Sequence, residues 1–296
     1  MNVVRITPRG YCHGVVDAIR IAKRIAEEHQ DDRVPIYMLG YLVHNEHVTA
    51  ELESFGVQLI DAASRLDGLD AISEGIVIFT AHGVSPAVIE KAREKGLTII
   101  DATCSDVTRT HDLIDRLSAE GYTVIYIGKR GHPEPEGSIG HAKGPVYLVE
   151  DRADIEALDI AQTAHIAVTC QTTLSVWDTS ELIGLLEKRF PDIEVFNEIC
   201  LATQQRQEAA VAAAAAVESV VVVGSPRSSN SRRLVQVVEE RAKTPAHLVD
   251  TVEDIRPEWF TGMTTVGVTS GASTPTHLTR EVITFLEELE PPRQEN

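Results

Sequence analysis

The sequence has few aromatic residues, no CxxC cysteine pair and no long hydrophobic run. Phe, Trp and Tyr make up 5% of the 296 residues, so Ala, Val and Ile fill the apolar positions, which is typical of packed layers of strands and helices. The longest apolar run, 209–217, is too short to span a bilayer and predicts part of a helix. Residues 1–5 contain no basic start followed by an apolar stretch, so we expect a cytoplasmic protein without a targeting segment.

Basic residues are also scarce relative to acidic ones. Lys and Arg together number 27 against 45 Asp and Glu, which gives a formal net charge of −18 at pH 7. A chain this acidic repels nucleic acid and anionic membrane surfaces, so we expect neither as a partner. An anionic small-molecule substrate would need local hydrogen-bond donors to offset the unfavourable field.

Short Val- and Ile-rich strands alternate with amphipathic helices along the chain, which is typical of α/β units with parallel sheets. One unit occurs three times. Cys104 lies 92 residues after Cys12, and Cys200 lies 96 residues after Cys104, each between a strand-like segment and a helix. We therefore predict three similar α/β domains around a pseudo-threefold axis. Their predicted bounds are residues 1–100, 101–195 and 196–288, followed by a flexible tail at 289–296.

Two further strand-to-helix junctions recur in each third and carry His, Ser, Thr, Asn or Glu. They lie at 43–45, 131–134 and 228–230, and at 80–83, 169–173 and 269–273. Parallel α/β units place their binding groups at the carboxyl ends of strands. Three units about one axis could therefore direct all nine junctions, including the three that carry cysteines, to one centre.

Three converging thiolates suit an iron–sulfur cluster, because soft sulfur ligands bind iron–sulfur or zinc. A four-iron cluster normally takes four cysteines, so Cys12, Cys104 and Cys200 would leave one iron open to substrate. A zinc site of three cysteines and a histidine is the alternative, although structural zinc ligands usually come in close pairs. Cys170, which the repeat aligns with Ala81 and Ser270, is interpreted as an unligated neighbour. The alternative is a fourth ligand that closes the cluster.

The other junction residues form a set of neutral donors. They are His44, His82, His132, Ser228, Ser229, Asn230 and Ser273. Donors at helix starts bind anions, helped by free backbone N–H groups and the helix dipole. A single Ser or Asn there could equally be an ordinary N-cap. Glu134 lies between two prolines, which stiffen the segment 131–137 and suit a carboxyl group held in place as a proton donor.

Six motifs occur in order along the chain: 9–15 (RGYCHGV), 80–84 (TAHGV), 101–104 (DATC), 131–137 (GHPEPEG), 171–175 (QTTLS) and 228–231 (SSNS). Together they resemble the signatures of the 4-hydroxy-3-methylbut-2-enyl diphosphate reductase family, also called LytB or IspH. The similarity runs from about Arg5 to Pro275. Two positions depart from it. His13 could tune a cluster by hydrogen bonding or could face solvent, and Cys170 stands where a small residue such as Thr is expected.

The resemblance implies a trefoil of three α/β domains around one 4Fe–4S cluster held by Cys12, Cys104 and Cys200. It implies a catalytic proton relay of Glu134 and Thr172 with a contribution from His132. The residues implied in substrate binding are His44, His82, His132, Thr172, Ser228, Ser229, Asn230 and Ser273. The implied reaction removes an allylic hydroxyl as water with two electrons, from ferredoxin or flavodoxin, and two protons. The products are isopentenyl and dimethylallyl diphosphate, the last step of the non-mevalonate isoprenoid pathway.

Two other classes of function remain open at this level. Quinolinate synthase also resembles three α/β domains with three cysteines, but it performs a condensation and dehydration. The His132-Pro133-Glu134 and Thr172-Thr173 patterns favour the reductase. A redox sensor or electron carrier is the second alternative. The acidic charge argues against the DNA-binding element of a sensor, and a fully ligated carrier would need Cys170 in its cluster.

Overall fold

The computed structural model describes residues 1–31, 33–161 and 164–290. Its strands are β1 (Asn2–Arg5), β2 (Ile36–Leu39), β3 (Val57–Ile60), β4 (Ile76–Phe79), β5 (Thr98–Asp101), β6 (Thr123–Ile127), β7 (Val146–Val149), β8 (Ile166–Cys170), β9 (Glu194–Val195), β10 (Ser219–Val223), β11 (Ala246–Val249) and β12 (Thr265–Ser270). Its α-helices are α1 (His13–Glu28), α2 (Glu46–Ser54), α3 (Arg65–Asp70), α4 (Pro86–Glu94), α5 (Ser105–Ala119), α6 (Pro133–Ile139), α7 (Arg152–Ala157), α8 (Val176–Arg189), α9 (Leu201–Ala214), α10 (Ser229–Val237) and α11 (Thr276–Glu288). A π-helical turn, Val238–Ala242, extends α10, and short 3-10 turns occupy Val252–Asp254 and Pro257–Phe260.

The described residues form three four-stranded parallel sheets with the same strand order. The orders are β3-β2-β4-β5, β7-β6-β8-β9 and β11-β10-β12-β1. In each sheet the first strand of the unit lies between the second and the third, and a fourth strand closes the edge. This repetition confirms the predicted α/β class with three similar units.

Alternation along the strands explains why each sheet is covered on both faces. Val124 and Tyr126 of β6 pack with α5, whereas Ile125 and Ile127 pack with α8. Side chains of consecutive strand residues point to opposite faces, and a parallel sheet with helices on both faces buries both sets. The central strands β4, β6 and β10 are therefore almost continuously apolar, as the sequence indicated.

The described residues group into two compact units. One contains Met1–His13, His44–His47 and the described part of Leu201–Asn296, and holds the sheet of β11, β10, β12 and β1. The other contains Gly14–Val43 and Val48–Cys200, with the other two sheets. The predicted boundaries near 100 and 195 fall at the ends of β5 and β9, and the three-domain division stays a prediction. Most of the predicted tail, 291–296, lies outside the described residues.

β1 differs from the sequence interpretation. It was expected to belong to the first repeat, because it precedes Cys12, yet it pairs in parallel with β12, Asn2 opposite Thr265 and Arg5 opposite Val268. β5 and β9 occupy the same position as β1: each is the edge strand of the sheet formed by the preceding repeat. Cys12, Cys104 and Cys200 thus each follow an edge strand and precede the first helix of the next unit.

Candidate active site

The three predicted cluster cysteines occupy equivalent junctions. Cys12 directly precedes α1, Cys104 is the N-cap of α5, and Cys200 directly precedes α9. All three are half-buried. In each case the backbone N–H of the cysteine donates to a carbonyl two residues beyond a strand end, at 3.1 Å. The pairs are Cys12 with Ala272, Cys104 with Ala81, and Cys200 with Thr172.

This shared hydrogen bond fixes the register of the repeat. The strand ends Phe79, Cys170 and Ser270 correspond, so the match of Cys170 with Ser270 holds and its match with Ala81 was wrong by two residues. The offset is not visible in the sequence because the loops after the strands differ. Thr173, rather than Thr172, corresponds to His82 and Ser273.

Gly14 leaves the space that the thiol of Cys104 occupies. A Cβ built at Gly14 would lie less than 3.0 Å from Cys104 Sγ and 3.0 Å from Cys104 Cβ. Any side chain at position 14 would therefore push the sulfur away. Gly14 was quoted in a motif but not predicted as a functional residue, because only the folded structure brings it to α5.

An ion pair connects the segments that carry Cys104 and Cys200. Arg109 on α5 donates from Nε to Glu198 at 2.7 Å, and this hydrogen bond raises the pKa of Arg109, with charges at Asp106 and Cys200 adding to it. The pair is partly solvated, so its contribution to stability is at most about 1 kcal/mol. The ion pair instead fixes a position: it holds Glu198, two residues before Cys200, against α5, which begins directly after Cys104.

Cys170 is in a different environment from the other cysteines. Its side chain is fully buried at the end of β8, and its thiol donates to Asn197 Oδ1 at 3.5 Å. Burial raises the pKa of Cys170 to about 12. A buried, protonated thiol behaves as a small apolar side chain rather than a metal ligand, which favours the interpretation of Cys170 as unligated.

Glu134 is a buried carboxyl group at the start of a helix. The chain turns at Gly131, His132 caps α6, and Pro133 occupies the first helical position, where its missing N–H costs nothing. Only 2% of Glu134 is exposed. Its Oε1 accepts the backbone N–H of Thr172 at 2.7 Å. The stiff segment predicted from two prolines is thus a helix start that directs the carboxyl group toward the Cys200 junction.

Burial sets the protonation of this carboxyl group. Desolvation raises the pKa of Glu134 from 4.5 to about 7, although hydrogen bonds from the backbone and side chain of Thr172 lower it. Burial disfavours the charged form of an acid, and a general acid works best when its pKa lies near the operating pH. Glu134 therefore has the properties of a proton donor at neutral pH.

Two histidines lie at or next to the start of the helix that carries Glu134. His132 Nδ1 accepts the backbone N–H of Glu134 at 3.2 Å, so a neutral His132 carries its proton on Nε2. The rings of His132 and His82 meet edge to face, with centroids 5.5 Å apart. His82 Nδ1 lies 3.4 Å from the hydroxyl of Thr80. The compact unit of Gly14–Val43 and Val48–Cys200 therefore brings together His82, His132, Glu134 and Thr172.

The other compact unit contains the remaining predicted donors. Ser228 caps α10 and accepts the backbone N–H of Ser231 at 3.2 Å, and Ser229 and Asn230 form the first turn. The hydroxyl of Ser273 donates to the His44 carbonyl at 3.4 Å. These residues gather where β10 and β12 end, as expected for a parallel sheet. Cys12 lies in the same unit, after β1.

Asn230 is a donor of this set whose side-chain amide is unsatisfied. It is 5% exposed, and neither its Nδ2 nor its Oδ1 has a hydrogen-bond partner among the described residues. An unpaired buried amide costs about 1–3 kcal/mol, and such a cost is typical of a group reserved for a ligand. Gly224 and Gly271 let α10 approach, because a Cβ at either would lie less than 3.0 Å from Ser231 Oγ.

Fold and site together define an α/β protein with a half-buried cysteine at the same junction of each repeat, a buried carboxyl group that titrates near neutrality, and a donor-rich helix start suited to an anion. The model of the family described as LytB protein matches residues 3–287. The chain therefore belongs to the LytB family.

Curated relatives are similar in sequence over 97% or more of this chain. A 4-hydroxy-3-methylbut-2-enyl diphosphate reductase from Symbiobacterium thermophilum is 59% identical over 287 residues, 97% of each chain. A protein of the same name from Halalkalibacterium halodurans is 54% identical over 295 residues, covering 100% of this chain and 93% of the relative.

Solved structures are similar as well. The E-1-hydroxy-2-methyl-but-2-enyl-4-diphosphate reductase from Plasmodium falciparum superposes with a TM-score of 0.91 at 32% identity, over 99% of this chain and 91% of that one. A second, described as (E)-4-hydroxy-3-methyl-but-2-enyl diphosphate reductase, the terminal enzyme of the non-mevalonate pathway, has a TM-score of 0.67 at 31% identity, over 98% of this chain and 100% of that one. Among residues 1–31, 33–161 and 164–290, no helix has both the length and the apolar character needed to cross a membrane.

Proposed function

We propose that this protein is an oxidoreductase that converts 4-hydroxy-3-methylbut-2-enyl diphosphate into isopentenyl and dimethylallyl diphosphate, the last step of the non-mevalonate isoprenoid pathway. The allylic C–O bond breaks, and the oxygen leaves as water. Two electrons and two protons enter, one proton on the leaving oxygen and one on carbon. The observation that carries the proposal is Glu134, a buried carboxyl group held by Thr172 with a pKa of about 7.

The diphosphate group is bound by neutral donors rather than by a basic patch. Ser228, Ser229 and Asn230 stand at the start of α10, where backbone N–H groups and the helix dipole attract anions. Ser273, His44, His82 and His132 complete the set. The unpartnered amide of Asn230 supports this assignment, because a phosphate oxygen would accept the hydrogen bond that Asn230 Nδ2 otherwise lacks.

Glu134 donates the proton that makes the hydroxyl a good leaving group. At neutral pH its carboxyl group is divided between both protonation states, so it can release a proton and recover one within a turnover. Thr172 holds the carboxyl group through its backbone N–H, and its hydroxyl extends the relay toward the substrate. His132 fixes the start of the same helix and presents Nε2–H as a further donor.

Cys12, Cys104 and Cys200 would hold a 4Fe–4S cluster, one per chain. The donor set fits, because soft thiols stand at three equivalent helix starts and the space in front of Cys104 is kept open by Gly14. When bound, such a cluster supplies electrons and an iron without a protein ligand, at which a substrate oxygen can be polarised. The electrons are proposed to come from a ferredoxin or flavodoxin, and the expected cytoplasmic location is part of this proposal.

Turnover and spectroscopy on one preparation test the proposal. Protein purified anaerobically is given 4-hydroxy-3-methylbut-2-enyl diphosphate and reduced methyl viologen, and both five-carbon diphosphates are expected as products. Mössbauer spectra of iron-57-labelled protein are then recorded without and with substrate. One iron in four is expected to have distinct parameters that change when substrate is added. A preparation with a complete cluster but no product, and with spectra indifferent to substrate, would exclude this reaction and direct attention to quinolinate synthase chemistry.

A further inference from the structure

His111 lies on α5, two turns after Cys104, and fills the space behind the turn that carries His82. It is 6% exposed. Gly83 has φ +74°, and a Cβ added to it would lie less than 3.0 Å from His111 Cε1 and 3.0 Å from Nε2. The imidazole therefore packs directly against the backbone of residue 83. Only glycine fits at this position, because the backbone has a positive φ and a Cβ would collide with the ring.

α6 presses on the same turn from another side. A Cβ at Gly137 would lie 3.2 Å from the backbone carbonyl carbon and oxygen of Gly83, and one at Gly140 would collide with Ser85. The helix that carries Glu134 and the turn that carries His82 are thus in backbone-to-backbone contact. A small displacement of the turn would be transmitted to α6 because Gly137 packs directly against the backbone of Gly83 and Val84, and closely packed backbone transmits strain.

His141 completes the contact. It follows the C-cap of α6, and its ring stacks on His111 with centroids 4.1 Å apart and an interplanar angle of 22°. Its Nε2 lies 3.1 Å from the Val84 carbonyl oxygen. The stacked pair therefore joins three segments, namely α5 behind Cys104, the turn of residues 82–85, and the end of α6.

The chemistry of His111 excludes a role as a proton carrier. Burial lowers the pKa of His111 to about 3, and repulsion from His141 adds to this effect, so the ring is neutral at working pH. Its Nε2 has no hydrogen-bond partner among the described residues. What His111 offers is a flat ring of fixed size between α5 and the turn.

We propose that the His111–His141 stack is a positioning element that sets the placement of His82 relative to Glu134, and thereby the direction of proton delivery to the substrate. The proposal rests on the reductase function, because it assigns an effect on that reaction. Misplacement of a reacting group by about 1 Å can cost on the order of 100-fold in rate. A shift between His82 and Glu134 would also change which carbon is protonated, and with it the ratio of isopentenyl to dimethylallyl diphosphate.

The test compares His111→Ala with His111→Phe, His141→Ala and a control, His29→Ala, just after the end of α1. Each anaerobic holoenzyme is assayed with 4-hydroxy-3-methylbut-2-enyl diphosphate and reduced methyl viologen for kcat, KM and product ratio. Amide hydrogen exchange of segments 80–85 and 133–141 is measured in parallel. We expect His111→Ala to lower kcat by about tenfold or more, to change the product ratio and to accelerate exchange in both segments. His111→Phe, which restores the ring, should return all three toward wild type, and His29→Ala should change none.

A merely structural role for His111 would reduce the amount of active protein without changing KM or the product ratio. An unchanged ratio and unchanged kcat per cluster in His111→Ala would overturn the proposal. If His111→Ala does not fold, His141→Ala decides, because His141 is only partly buried. Wild-type turnover and ratio in that variant would equally overturn it. If the wild-type holoenzyme makes no product, the proposed function fails, while hydrogen exchange still decides whether the stack positions the two segments.

Discussion

The substitution Glu134→Gln, which removes the charge and keeps the shape of the side chain, is the most direct test of the proton-donor role. Its pKa of about 7 is raised from 4.5 by burial. An acid with a pKa of 4.5 would be protonated in only about 0.3% of molecules at pH 7, whereas a pKa near 7 gives about half. Burial thus increases the fraction of Glu134 ready to donate by more than 100-fold, or about 3 kcal/mol at about 1.4 kcal/mol for each pKa unit.

The expected consequence is an alkaline limb in the pH profile of kcat/KM, which reports the pKa of the substrate-free protein. Between pH 6 and pH 8 the protonated fraction falls about tenfold, and kcat/KM should fall with it around a midpoint near 7. Reduced methyl viologen is the appropriate donor, since its potential does not depend on pH. Glu134→Gln should have little turnover and no such limb, with the Mössbauer spectrum of the cluster retained. Glu136→Gln, an exposed carboxylate on the same helix, is the matched control and should keep the wild-type profile.

The same shift has a consequence for stability whose sign is opposite to that of an ordinary ion-paired carboxylate. The folded pKa is the higher one, so between about 4.5 and 7 the folded state binds more protons than the unfolded state, and stability falls as the pH rises. Glu134→Gln removes that penalty. Its free energy of unfolding should match wild type at pH 4.5 and exceed it by up to about 3 kcal/mol at pH 8. A kcat/KM profile flat from pH 6 to 8, together with equal stabilities at pH 8, would refute the reasoning.

Three further predictions concern the cluster and the anion site. Gly14→Ala should lower the iron and sulfide content, because its Cβ would displace the Cys104 thiol, whereas Gly184→Ala, where nothing lies within 4 Å of the added carbon, should not. Asn230→Leu should raise KM for the diphosphate substrate by about tenfold or more without lowering the stability of substrate-free protein, because the buried amide has no partner to lose. An unchanged KM would contradict its binding role. Cys170→Ala should keep all four irons and full turnover, and loss of iron from this variant would establish a fourth cysteine ligand.

Local patterns predicted the elements of this fold well. The apolar strands, the amphipathic helices and the three cysteine junctions can each be recognised within about 15 residues, and the sequence carries that information directly. Strand pairing is different. Nothing near β1 indicates that it pairs with β12, because parallel pairing is decided by long-range packing rather than by neighbours in sequence.

The candidate site also contains residues that local sequence patterns predict and residues that they do not. Glu134 and the cysteines were predictable because their residue types carry chemistry and their motifs are distinctive. Gly14, His111 and His141 were not, because a glycine or a buried histidine becomes informative only when its spatial neighbour is known. The amount by which burial changes the pKa of Glu134 is likewise a property of the packed interior. Sequence predicted the groups that we propose to react, and structure identified the side chains and backbone that surround them.

The pairing of β1 with β12 also bears on how the chain is made. β1 is synthesised first, yet its partner strand β12 is synthesised about 260 residues later. Until then β1 has no sheet to join, whereas the sheets of β2–β5 and β6–β9 can already form from contiguous segments. Cys12, which follows β1, cannot acquire its junction with Ala272 until then. The last of the three cysteine junctions to form is therefore the first one translated, and the cluster proposed for Cys12, Cys104 and Cys200 could be bound only after nearly the whole chain has left the ribosome.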